Sequence, residues 1–176
     1  MLNFIFLEKV IKMIEEIFKL LNDISKIQII NAYTTQKPPK KPFATYSTLF
    51  LDSKDYFGGD IEEQIDKKNI KEIGKYREIA TIQFDVYATN EIECLQNARE
   101  LQQLILFKLR YYWSRLGVGI AGFSNIKSFN ELIQESYEFR STFDIKFEYI
   151  VTTERKTEII ESIEIIVKQF KEEEEQ

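Results

Sequence analysis

SYEFRSTFDIKFEYIV, Ser136 to Val151, decides the fold. Every second residue gives Tyr137, Phe139, Ser141, Phe143, Ile145, Phe147, Tyr149 and Val151, five of them aromatic. The alternate set is Glu138, Arg140, Thr142, Asp144, Lys146, Glu148 and Ile150. Successive side chains of a strand point to opposite faces of its sheet. The segment therefore buries the first row and turns an almost wholly charged ladder outward.

The same alternation recurs on either side. YREIATIQFDVYAT, from Tyr76, is a second strand with Ala80, Ile82, Phe84, Val86 and Ala88 on one face and Thr81, Gln83, Asp85 and Tyr87 on the other. FATYSTLFLDS, from Phe43, reads as an earlier strand, and EIIESIEIIV, beyond a turn expected near Thr152 to Lys156, as the closing one. Between the first two lies a charged block, Asp52 to Lys75, with Gly58-Gly59 marking a turn; it reads as a long surface excursion. GVGIAGFSNIKSFN, from Gly117, reads as a flexible, partly apolar loop and matches neither a dinucleotide fingerprint nor a Walker loop.

Two helices complete the pattern. Phe4, Leu7, Val10, Ile11, Ile14, Ile17, Phe18, Leu21 and Ile24 recur at three- and four-residue steps, an amphipathic helix over residues 3–25 that docks on the sheet. Asn90, with Glu93 three residues on, caps a second helix whose buried stripe is Leu95, Ala98, Leu101, Ile105, Leu109, Tyr112 and Leu116, stopped at Gly117. NAYTTQKPPKKP, residues 31–42, holds all three prolines and runs as an extended connector or arm. The reading is an α+β domain over residues 1–170, with a four-stranded, mainly antiparallel sheet, two helices on one face and the order α-β-β-α-β-β. The acidic end, residues 171–176, stays solvated and disordered.

Composition narrows the chemistry. With 176 residues, 44% of them apolar, the chain can bury a core. Its net charge of -5, with basic residues scattered among acidic ones, argues against tight DNA binding. There is no histidine and one cysteine, which removes Cys/His zinc sets and Ser/His or Cys/His nucleophile pairs. Cys94 is read as a small buried hydrophobe. No apolar run approaches the roughly 20 residues of a membrane span, and Glu8 and Lys9 interrupt the apolar opening, so an intracellular, soluble protein with no membrane partner is expected. Asp144-Ile145-Lys146, with Asp85 on a strand that can neighbour it, allows a magnesium-dependent nuclease as an alternative, and the first helix allows an adaptor that docks in a partner groove.

The run Gln36, Pro38, Pro39 to Phe43-Ala44-Thr45-Tyr46, the RxxxxxxFDVY pattern from Arg77 to Tyr87, and YEFRSTFDIKFEY from Tyr137 to Tyr149 resemble the neck and tail terminator (tail completion) proteins of tailed bacteriophages. The resemblance implies a non-enzymatic subunit of a homo-oligomeric ring, a hexamer, on the last ring of the tail tube of a phage or headless tail-like particle. It implies the tail tube protein and a head connector, sheath or collar protein as partners, DNA only as passing cargo, and assembly in the bacterial cytoplasm. No cofactor, metal or catalytic residue is assigned. The interface residues are Gln36, Pro38, Pro39, Tyr46, Arg77, Asp85, Glu138, Arg140, Asp144 and Lys146. Gln36 to Pro39 are expected to act as an arm, Arg140 and Asp85 as cross-strand or intersubunit ion partners, and the charged ladder to pair across a boundary or line a lumen.

Overall fold

The computed structural model describes residues 14–35, 37–53, 60–66, 69–133 and 136–158. Helix α1 covers residues 14–24. It is followed by β1 (Gln28–Asn31), β2 (Phe43–Ser53), β3 (Asp60–Asp66) and β4 (Asn69–Ala88). Next come α2 (Glu91–Gln103), a π-helical turn at Leu104–Lys108 and α3 (Arg110–Arg115). The chain continues through β5 (Val118–Phe123), β6 (Lys127–Ile133) and β7 (Ser136–Glu158). The class is α+β. Among the described residues, however, the sheet has seven strands where four were expected, in the order β1-β2-β4-β7-β5, with β3 paired to β4 and β6 to β7.

Two compact units emerge, residues 1–59 with 76–151, and residues 60–75 with 152–176. In the first, the alternation of the opening stretch holds. Phe143, Ile145 and Phe147 are buried with Ile82, Phe84 and Val86 of β4, and this one cluster also takes Ile17, Phe18 and Leu21 of α1, Cys94, Ala98 and Leu101 of α2, and Trp113 of α3. Helices therefore cover a single face. Phe84 and Phe143 stack at 5.3 Å, and Trp113 meets Phe147 edge-on at 5.9 Å. The α1 stripe is spent on the chain's own core, which leaves its described part little apolar surface for a partner groove. Asn22 fastens α1 to the sheet: its amide donates to Ile29 O and its oxygen accepts from Ile29 N, both at 2.8 Å, as a neighbouring strand would.

The second unit, where described, holds residues 152–158 of β7 and the hairpin of β3 with the first part of β4, paired from Asp60↔Lys75 to Asp66↔Asn69. This corrects the long excursion expected over 52–75. Charged residues on both sides of a strand erase the apolar alternation, so the strand signal was invisible. The turn expected at Thr152 to Lys156 is likewise continuous strand in β7. Val151, Thr152 and Thr153 are β-branched, and no glycine, proline or asparagine breaks the run. The expected closing strand beyond Glu158, the first half of the expected N-terminal helix and the acidic end 171–176 lie outside the described residues.

Two further corrections concern residues read as loops. The glycine-rich stretch from Gly117 forms β5 and β6, and a Cβ at Gly119 would press on the Glu148 side chain, 3.1 Å from its Cγ. β1, only four residues long, pairs parallel to β2 and was too short to show a period. The second helix starts as expected: Asn90 accepts from Glu93 N at 2.9 Å, while Glu93 accepts from Thr89 N at 3.1 Å. Gly117 ends it with φ 70°, the left-handed conformation that favours glycine. Between them the π-helical turn adds a residue to the helical register, so the buried stripe passes through Leu109 to Trp113, leaving Tyr112 and Leu116 exposed; Leu95, ahead of the turn, is also exposed, on the edge of the stripe.

Candidate functional site

Antiparallel partners share a face, so register identifies what lies opposite the helices. Phe43, Thr45 and Ser47 of β2 pair with Tyr87, Asp85 and Gln83 of β4. Phe129 and Glu131 of β6 pair with Arg140 and Glu138 of β7. These side chains form the face opposite the helices, on which Phe43, Ser47 and Asp85 are buried and Phe129 and Glu131 exposed.

At its centre is Arg140. Its guanidinium lies 3.7 Å from Glu131 Oε1 and 5.6 Å from the centre of the Phe129 ring. Partial burial works against its charge, but the neighbouring Tyr87 hydroxyl and the fields of Asp85 and Glu131 outweigh this and raise its pKa. Tyr87 is held in turn by stacking on Phe43, with ring centres 4.9 Å apart. Burial pushes its phenol up, and Arg140 offsets part of the rise. Gln83 Nε2 donates to Asp85 Oδ2 at 2.9 Å.

Three polar atoms here are sealed from water and have no hydrogen-bond partner among the described residues: Thr81 Oγ1, Asp85 Oδ1 and Thr142 Oγ1. Thr81 is 2% exposed and Asp85 8%, so both are already shielded by the chain itself.

The structure brings together Asp85, Arg140 and Glu138 of the residues chosen from sequence. Glu138 also receives Lys41 from the connector at 3.4 Å, and Arg77 lies 3.9 Å from Glu148 farther along the face. Asp144 and Lys146 continue the ladder; the Asp144 amide donates to Ser124 Oγ at 2.8 Å, and Lys146 is exposed. Tyr46 lies on the opposite, helix-facing side, stacked on Phe18 with ring centres 3.3 Å apart. Pro38 is exposed and Pro39 half-buried in the connector, away from the Arg140 group in sequence, and Gln36 lies outside the described residues. Sequence reasoning missed Tyr87, Phe129, Glu131 and Gln83 as members of the site. Tyr87 and Gln83 were legible on the polar row of their strand, whereas Phe129 and Glu131 belong to β6, read as loop. The single cysteine, Cys94, is buried beneath the helix side, and that burial raises its thiol pKa.

Asp144 and Lys146 share a face as the nuclease alternative requires, but no three His, Cys, Asp or Glu side chains gather into a metal-holding group among the described residues. Among the same residues no helix is long and apolar enough to cross a membrane. None of the curated proteins compared with the chain matches it. A protein-family model described as phage neck terminator protein matches residues 8–174.

Proposed function

The chain belongs to the phage neck terminator protein family, and from that membership we propose that it is a structural ring subunit that caps the tail tube and joins it to the head connector or collar. The sheet face opposite the helices is the surface that meets the adjoining ring of the particle. The observation that carries this assignment is the row Glu138, Arg140, Asp144 and Lys146 on that face, with Arg140 beside Glu131 and the Phe129 ring. The mixed signs of that row would pair with a neighbouring protein and fix its register. The particle's other structural proteins are the partners; DNA is cargo, and the role involves no catalysis.

The test is imaging of isolated tail tubes incubated with the wild-type chain and with Arg140→Glu, alongside circular dichroism and melting of both. Rings on wild-type-treated tube ends, absent with a well-folded Arg140→Glu, are the expected result. Rings formed equally by both chains would remove the sheet face from the assignment. A wild-type chain that never appears at tube ends would end the capping role.

A further inference from the structure

The helical run from Glu91 to Arg115 carries opposite chemistry at its two ends. At the start, Glu91 and Glu93 flank Ile92, which is 69% exposed, and Leu95 is exposed beside them. At the far end Phe107 is 83% and Tyr111 68% exposed; Tyr112 packs edge-on against Tyr111 at 6.0 Å, and Arg115 lies 5.9 Å from the Tyr111 ring centre. Arg110 is exposed on the same short helix. Residues 101–130 contain Lys108, Arg110, Arg115 and Lys127 and no acidic residue, within a chain of net charge -5.

Acidic side chains at a helix start and basic ones at its end complement the helix dipole. That accounts for the charges but not for large apolar side chains left in water at both ends. At about 1.5 Å per residue the two ends are roughly 35 Å apart, so they cannot meet within one chain. They can meet between two copies. A nucleic acid is the poorer occupant for the basic end, because the few cations there sit on an acidic molecule that repels phosphates at longer range.

We propose that the basic, aromatic end of this helical ridge docks on the acidic, apolar end of the ridge in a second copy of the chain, head to tail. Phe107 and Tyr111 pack against Ile92 and Leu95, and Arg110 and Arg115 face Glu91 and Glu93. Contacts between unlike surfaces propagate in one direction and close into a ring when the rotation permits. The inference rests on the ring reading above, for which it supplies the lateral contact, distinct from the sheet face that meets another component.

The test measures self-association of the full chain by light scattering and negative-stain imaging. Arg110→Glu/Arg115→Glu and Glu91→Lys/Glu93→Lys should each weaken association about tenfold or more, and the chain with all four changes should recover it, because the swap restores opposite charges across the contact. Glu93 also closes the helix cap, so Ile92→Ser and Phe107→Ser, at exposed positions, provide variants that should weaken association without changing the melting temperature. Undiminished assembly of either charge-reversed chain, or failure of the fourfold swap to recover it, overturns the docking while leaving the ring intact as a reading. Wild-type chains that stay monomeric alone and on tube ends overturn the ring itself. Binding of a labelled DNA duplex that Arg110→Glu/Arg115→Glu abolishes would give the basic end to nucleic acid and also overturn the docking.

Discussion

Glu78 shows how a single carboxylate can report on the fold. It is buried on the helix side of β4 and accepts the Tyr149 hydroxyl at 3.0 Å. Burial raises its pKa above the ordinary glutamate value, and the Tyr149 hydrogen bond offsets only part of the rise. Tyr149 is pushed up as well, by burial and then by the neighbouring carboxylate, so it stays a neutral donor. The folded state therefore binds the Glu78 proton more tightly than the unfolded chain does. The stability this group contributes is fully present below the ordinary glutamate pKa and is lost as pH rises through the higher folded value. Glu78→Gln keeps an acceptor for Tyr149 and removes the buried charge. It should melt higher than wild type at pH 7, and the advantage should vanish near pH 4. An advantage that does not change with pH would assign the effect to packing instead of charge. Arg140 sits at the opposite extreme: its partners outweigh its desolvation, so its charge persists across the accessible pH range, and substitution is the means of testing it.

Among the elements, the π-helical turn has the clearest consequence. Leu109 N donates to Leu104 O at 3.0 Å, the wide i to i+5 spacing, and the Trp113 indole donates to Ile105 O at 2.7 Å, so both carbonyls are satisfied. Deleting exposed Lys108 would return the helix to its regular period and rotate everything after it by about 100°. Trp113 would leave its place against Phe147, a loss comparable to the about 3–5 kcal/mol of truncating a buried tryptophan. Equilibrium urea unfolding should show that loss with the helix signal retained; a chain unfolding at the wild-type midpoint would mean the inserted residue is incidental. The same turn explains what sequence could and could not give here. A strict three- and four-residue step placed Ala98, Leu101, Ile105 and Leu109 correctly, then put Tyr112 and Leu116 inside, because one inserted residue leaves no mark in composition. Strands with one apolar face, β4 from Tyr76 and β7 to Val151, were legible for the same reason that they are buried. β3 carries charges on both faces, β5 is diluted by glycine and β1 is short, so none presents the alternation from which a strand is read. The candidate site follows that division: Gln83, Asp85, Tyr87, Glu138 and Arg140 lie on legible strands, and Phe129 and Glu131 do not.

Over the whole molecule, charge sets how the chain meets DNA. Its net charge is -5 and its isoelectric point about 5.1. The acid-free stretch 101–130 is thus a minority feature on an acidic body, and its exposed cations are taken up, in the docking proposed above, by a second copy. Both conditions favour a genome sliding past without sticking, because a polyanion gains affinity only where bound cations release its counterions. At pH 7.5 and physiological salt, duplex DNA should bind the purified chain more weakly than about 10⁻⁴ M, the upper end of ordinary non-specific affinities. Acidification through the isoelectric point reverses the net charge. Retention of DNA should then appear below about pH 5 and reverse on neutralisation. Fluorescence anisotropy of a labelled duplex follows the transition. Micromolar affinity at pH 7.5 would contradict passage without adhesion, and DNA retention that does not follow the sign of the net charge would assign binding to a local patch instead.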